Sequence, residues 1–229
     1  MSGLGGGIVI IPVYIALGIS VPVAAAAGLL MNIIALTLVS AHNSSHRIVR
    51  WKLGTAFLVP ALVMTPLGEI ASTHVEREFV VLIFIALLIY AFFHVIQKRK
   101  ATHKERLTGT NSLLIAVPVG LIAGFLSGLT GIGGGLIVLP VLTFMEDDYK
   151  KIAGTTAYVA LFISVASFIS HAGSILLFSL PIWIVIVAGS TAGGLLGSYL
   201  LHILKSTRVS QFTGSVILII TGILIYTLI

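Results

Sequence analysis

Residues 130–140, TGIGGGLIVLP, place four glycines within five positions in the middle of a long apolar run. Each glycine costs a helix interior roughly 1 kcal/mol relative to alanine, so no ordinary helix runs through this stretch. The apolar residues that follow, up to Met145, rise only ~16 Å as a helix from Gly135, about half of a hydrocarbon core of ~30 Å. The same design opens the chain as SGLGGGIVIIP at 2–12. Matched position by position, Gly3, Gly5, Gly6, Gly7 and Pro12 fall on Gly131, Gly133, Gly134, Gly135 and Pro140. Two broken helices, one in each half, are what any fold of this sequence must accommodate.

Composition identifies the medium around them. Hydrophobic residues make up 58% of the 229 and charged residues 9%, a surface no water-soluble domain could carry. The chain is expected to be an integral membrane protein. Its formal charge of +6 would suit nucleic acid only if the basic residues shared a face. They lie instead in short loops between apolar runs, where they act as topology signals. The absence of cysteine excludes disulfides, thiolate metal sites and cysteine chemistry. A membrane-embedded enzyme would need clustered carboxylates, paired histidines on one helix or a Ser-Lys dyad, and the spans carry none of these. No enzyme activity, cofactor or metal is expected. The N-terminus has no basic n-region or cleavage site, so no signal peptide is read there.

The apolar segments are 7–18, 21–41, 53–72, 79–97, 112–130, 135–145, 152–172, 181–202 and 210–228. Six of them have spanning length, 112–130 can also span, and 7–18 and 135–145 are short. With one residue inserted, His42 falls on His171, so the halves form an internal duplication with a period of about 130 residues, too long for a solenoid. The positive-inside bias decides their relative orientation. If 112–145 enters the membrane and turns back, twelve of the thirteen Lys and Arg collect on one side and only Arg77 lies opposite; a single crossing gives eight against five. The first arrangement predicts an all-α membrane protein of two inverted-topology repeats, each with a Gly-rich broken or re-entrant helix and three transmembrane helices. The first repeat is 1–97, a basic cytoplasmic loop is 98–111, and the second, inverted repeat is 112–229. Segment 112–130 has no counterpart ahead of Gly3, and the expectation is that the natural chain starts upstream of Met1.

A helix interrupted within the membrane leaves free N–H groups and a positive dipole end at the half-helix that follows. Such ends attract anions, and glycine lets a ligand approach the backbone closely. The expected anion donors are the backbone N–H groups of Gly5, Gly6 and Gly7 and of Gly133, Gly134 and Gly135, facing one cavity between the repeats. Neither a P-loop nor a dinucleotide fingerprint fits, because Leu136 and Ile137 follow the last glycine and no strand precedes it. Thr130, Ser127, Thr155 and Thr156 supply hydroxyls near the second loop or on the next helix. Thr130, Asn32 and Thr156 are the candidate side-chain contacts, although Asn32 could equally be glue between helices. Ala116, Gly120, Gly124 and Gly128, and likewise Gly189, Gly193 and Gly197, form stripes expected to let helices pack closely. His42 and His171 sit at matched helix ends, where they either cap terminal carbonyls or act as a titratable gate. Glu69 is the carboxylate within a span and a second candidate for proton coupling. Glu146, Asp147 and Asp148 lack the spacing of a calcium loop and are expected to be a solvated inner loop.

The paired segments GLGGGIVIIP at 3–12 and GIGGGLIVLP at 131–140, each opening one repeat, resemble the TauE/SafE family of the TSUP superfamily. The resemblance covers essentially the whole chain. It implies a multi-pass plasma-membrane transporter of sulfite or an organosulfonate, working by alternating access. Related thiosulfate importers rely on cysteines, which this chain lacks, so a relay of that type is not expected. The partners implied are a small anionic substrate and the lipid bilayer, with no nucleic acid; a homo-oligomer is left open. The competing functions are a passive anion channel and a structural or partner-binding membrane subunit.

Overall fold

A computed structural model describes residues 6–45, 48–97, 110–146, 148–171, 180–204 and 206–226. The described residues are helical apart from short connections, with no strand among them. In chain order the helices are α1 (Gly7–Ala16), α2 (Val21–Ser45), α3 (Trp51–Ser72), α4 (Arg77–Gln97), α5 (Thr110–Thr130), α6 (Gly135–Met145), α7 (Tyr149–Ser170), α8 (Leu180–Ile203) and α9 (Ser206–Tyr226). Four stretches among the described residues are long and apolar enough to cross a bilayer: Val21–Ala41, Trp51–Ser72, Ser112–Thr130 and Lys150–Ser170. The chain is therefore a helical membrane protein in which 112–130 is itself of spanning length. The apolar runs at 79–97, 181–202 and 210–228 form α4, α8 and α9. Val59 and Val63 of α3, Ile122 of α5 and Ile184, Leu195 and Leu196 of α8 point outward, an apolar surface that lipid covers.

The closest pairing is α3 with α5, and the glycine stripe of α5 makes it. Gly120, Gly124 and Gly128 lie against the carbonyl oxygens of Phe57, Ala61 and Thr65 in turn, and a Cβ at Gly124 would stand 2.6 Å from Ala61 Cα. Backbones meet there because no side chain intervenes, as expected of a small-xxx-small face. The ascending register makes α3 and α5 parallel, so α5 begins near the Arg50 end of the bundle. The carboxylate of Glu146, just after α6, bonds Arg50 at 2.8 Å. The chain thus goes inward through α5, turns at residues 131–134 and comes back through α6 toward the same end.

A second seam joins α2 to α7. Asn32 and Ser164 meet beside Gly133, while Leu36 and Val39 pack with Ala157 and Ala160, so these two helices run antiparallel. Further contacts join α2 to α8, α3 to α7, α4 to α9, α1 to α2, α6 to α7, α4 to α6 and α1 to α9. The second glycine stripe behaves differently from the first. A Cβ at Gly189 or Gly193 would meet nothing within 4 Å, so the close packing expected of that stripe is absent among the described residues. The face of α8 that does pack carries Ile186, Ser190 and Gly194, and Gly194 lies 3.0 Å, measured from an added Cβ, from Ala35 Cα. The spacing of four is shared by both faces of α8, and sequence alone does not say which one is covered.

Candidate functional site

The turn between α5 and α6 is built by three left-handed glycines: Gly131 (φ 76), Gly133 (φ 83) and Gly134 (φ 72). A side chain at any of them would be strained, which accounts for the cluster of glycines at this point. Gly131 ends α5 by donating its N–H to Ser127 O at 2.7 Å. The turn then threads between three helices. Gly131 lies against Ala25 of α2, Gly133 against Ser164 of α7, and Gly134 against Ile163 of α7 and the carbonyl oxygen of Ala123 in α5.

Asn32 ties the two breaks together. Its Oδ1 accepts the Gly7 N–H at 2.6 Å, and its Nδ2 donates to Ile132 O at 3.0 Å, 100 residues further along the chain. Its carboxamide is fully buried, and it acts as the pin between the start of α1 and the turn before α6. The two breaks are not conformational copies, since Gly6, the N-cap of α1, has φ −82 where Gly134, the N-cap of α6, has φ 72.

The anion donors divide accordingly. The Gly7 N–H is taken by Asn32, and the Gly133 N–H donates to Ser127 Oγ at 3.0 Å. The N–H groups of Gly134, Gly135 and Leu136, the first turn of α6, have no acceptor among the described residues. All three residues are buried. Amide hydrogens at a buried helix start ordinarily find a partner, and three together at the positive end of a half-helix make an anion-binding geometry. Gly5 lies outside the described residues.

The candidate side chains are spread more widely. Thr130 is buried beside the turn, but its hydroxyl donates back to Leu126 O at 2.6 Å. Thr156 is buried with an unpartnered hydroxyl, yet it stands eight residues before Ser164 on α7, roughly 12 Å along the helix axis. Thr155 belongs to the other end, where its Oγ1 accepts the Arg50 N–H at 3.0 Å. His171 is buried at the C-cap of α7 with Nδ1 2.9 Å from Ser167 O, the carbonyl-capping arrangement. His42 falls within α2, and its side chain lies outside the described residues. Glu69 is half-buried near the end of α3, with its carbonyl accepting from Ser72.

Two features were not anticipated from the sequence. Ser164 and Ser167 line the turn alongside Ser127, with Ser167 Oγ 3.3 Å from Ser127 O. Their 3- and 4-residue spacing with His171 on one face of α7 is the signal that could have revealed them. The acidic loop is also not merely solvated. Asp148 caps α7 by accepting from Lys150 N at 3.0 Å, and Glu146 pairs with Arg50. Burial pushes the Glu146 carboxyl up, but the Arg50 hydrogen bond, the Asp148 N–H and the charges of Lys151 and Arg50 outweigh it and hold it below its ordinary value of 4.5. No cluster of metal-ligating side chains occurs among the described residues.

Comparison with known proteins places this geometry in a family. The sequence model described as "Sulfite exporter TauE/SafE" matches residues 1–224. A Haemophilus influenzae protein named "Probable membrane transporter protein" is 27% identical over 181 residues, covering 74% of this chain and 67% of its own length. A Sinorhizobium fredii protein with the name "Probable membrane transporter protein y4hK" is 34% identical over 55% of this chain and 51% of its own length. An Arabidopsis thaliana protein, "Sulfite exporter TauE/SafE family protein 1", is 33% identical over 47% of this chain and 27% of its own length. The matched region thus spans from about a quarter to two thirds of these relatives. No solved structure matches the chain.

Proposed function

The chain belongs to the TauE/SafE family, and on that premise we propose that it is a secondary transporter of a small anion, sulfite or an organosulfonate. The observation that carries the proposal is the trio of buried N–H groups at Gly134, Gly135 and Leu136, which have no acceptor among the described residues. Thr130 and Asn32 shape the seat, with Asn32 holding the α1 break against it. Gly6, the N-cap of α1, approaches from the opposite side. Thr156 lies on the route toward the Arg50 end rather than in the seat itself. No Lys or Arg occurs in 107–149 or 152–204, so the seat is neutral and releases its anion readily.

Alternating access arises from rocking of one inverted repeat, 1–97, against the other, 112–229. The contact pattern supports this reading. Exchanging α1, α2, α3 and α4 with α6, α7, α8 and α9 turns α1–α2 into α6–α7, α2–α8 into α7–α3, and α4–α6 into α9–α1. The antiparallel α2–α7 pair maps onto itself, as an axis lying in the membrane plane requires. The basic loop 98–111 faces the cytoplasm of a plasma-membrane protein.

Purified protein reconstituted into liposomes tests the proposal. Wild-type protein takes up labelled sulfite saturably, and Gly134→Leu, verified as folded by gel filtration, does not. Uptake retained by Gly134→Leu refutes the site, and linear uptake by the wild type points to a channel.

A further inference from the structure

Among the described residues, buried hydroxyls without any hydrogen-bond partner occur at Ser40, Thr156 and Ser164, all on the two helices of the α2–α7 seam. Ser164 is the one that reaches the glycine turn. It is fully buried, and its Oγ lies directly against Gly133, where an added Cβ would collide with it and would also stand 2.8 Å from Asn32 Nδ2. A serine in a helix usually satisfies itself by donating to the carbonyl four residues back, as Ser170 does to Ala166 and Ser190 to Ile186. Ser164 does not, although it costs free energy to leave a buried hydroxyl unmade. Its unpaired Oγ therefore stands at Gly133, the residue that leads into the first-turn amides of α6.

We propose that Ser164 is the side-chain donor that completes the anion seat, and that the seat selects a monoanionic sulfonate over a doubly charged oxyanion. This rests on the transporter reading above and specifies its ligand. The first-turn amides of α6 and the Ser164 hydroxyl present hydrogen-bond donors from two directions, as the three oxygens of an R–SO3 group require. The surroundings carry no charge: Ile132, Leu136 and Ile163 are buried here, and the titratable side chains nearest along the chain are Tyr158, six residues before Ser164, and His171, seven residues after it, whose ring is held by Ser167 O. The self-energy of a buried ion grows as the square of its charge, so a second charge about quadruples the cost. Half a helix dipole and a neutral hydroxyl offset that for one charge and not for two.

The test is anion binding to the purified full chain in detergent, read as thermal shift and affinity at matched ionic strength. Methanesulfonate is the monoanion and sulfate the dianion. Wild-type protein binds methanesulfonate at least tenfold more tightly than sulfate. Ser164→Ala weakens methanesulfonate on the order of tenfold or more, the loss expected of one donor to a charged group. Its melting temperature without ligand stays equal to or above that of the wild type, because the unpartnered hydroxyl is gone. Thr65→Ala, which removes a buried hydroxyl already bonded to Ala61 O, keeps wild-type affinity. Wild-type affinity in Ser164→Ala, or a lower melting temperature with affinity unchanged, makes Ser164 a structural residue and overturns the inference while sulfite uptake by the wild type stands. Sulfate binding as well as methanesulfonate overturns the charge selection. Failure of the wild type to bind either anion overturns the inference together with the seat.

Discussion

Replacing Asn32 with alanine removes a side chain that joins the start of α1 to the turn before α6. Two hydrogen bonds go at once, Gly7 N–H to Oδ1 at 2.6 Å and Nδ2 to Ile132 O at 3.0 Å, and both are buried. An orphaned buried donor or acceptor costs about 1–3 kcal/mol, which puts the pair at about 2–6 kcal/mol. Side-chain hydrogen bonds within membrane bundles average nearer 0.6 kcal/mol, because partners are found again in the unfolded state. Here the stranded groups are backbone atoms at a helix start and a glycine turn, fixed in place and buried, so the loss is expected to be about 2–4 kcal/mol. Reversible unfolding in mixed micelles, titrated with a denaturing detergent, measures it. Methanesulfonate binding reports separately whether the seat survives. A loss below about 0.5 kcal/mol with binding intact would mean that the breaks hold their positions without the amide, and the pin would have to be abandoned.

Gly124→Ala and Gly189→Ala exchange the same residue at the same stripe spacing and should have opposite signs. At Gly124 the new Cβ meets the Ala61 backbone, and overpacking of about 1–3 kcal/mol exceeds the helix-propensity gain of about 1 kcal/mol. At Gly189 nothing lies within 4 Å, so the gain stands alone; thermal unfolding of the two variants compares them. The Arg50–Glu146 pair predicts acid sensitivity. Because the folded Glu146 carboxyl titrates below its ordinary value, its contribution is present above 4.5 and disappears as pH falls through the folded value. Glu146→Gln should remove that component of the acid limb in a melting-temperature profile, and an unchanged profile would remove the ion pair from consideration. Since the chain contains no cysteine, Thr73→Cys and Lys150→Cys can each be labelled singly in intact cells. Impermeant reagent should reach only Thr73→Cys, and labelling of both from outside would contradict the orientation.

The break between α5 and α6 was legible in the sequence because glycine at 131, 133 and 134 answers a local demand. Each takes a positive φ that other residues avoid, and a purely local cause leaves a local trace. The α5 stripe was legible for the same reason, since Gly120, Gly124 and Gly128 mark one face whatever covers it. What covers a face is a tertiary fact, and the stripe at Gly189 and Gly193 looks identical in sequence while lying open. The division of labour at the seat was hidden too. Asn32 was readable as either glue or ligand contact, and only the placement of Gly7 and Ile132 on its two ends separates those roles in this conformation. Ser164 is one hydroxyl among many on α7, and it is distinguished by lying unpartnered against Gly133, which no spacing reveals.

The most direct test of an anion carried between two facing helix breaks is counterflow in proteoliposomes. Vesicles are loaded with excess unlabelled sulfite, and the entry of labelled sulfite is followed with the membrane potential clamped to zero. A carrier gives a transient overshoot of labelled sulfite above its outside concentration, because each return of the site is faster with substrate bound. Entry that rises only to the outside concentration, unaffected by what is loaded within, would contradict a carrier and leave a pore or no pathway at all.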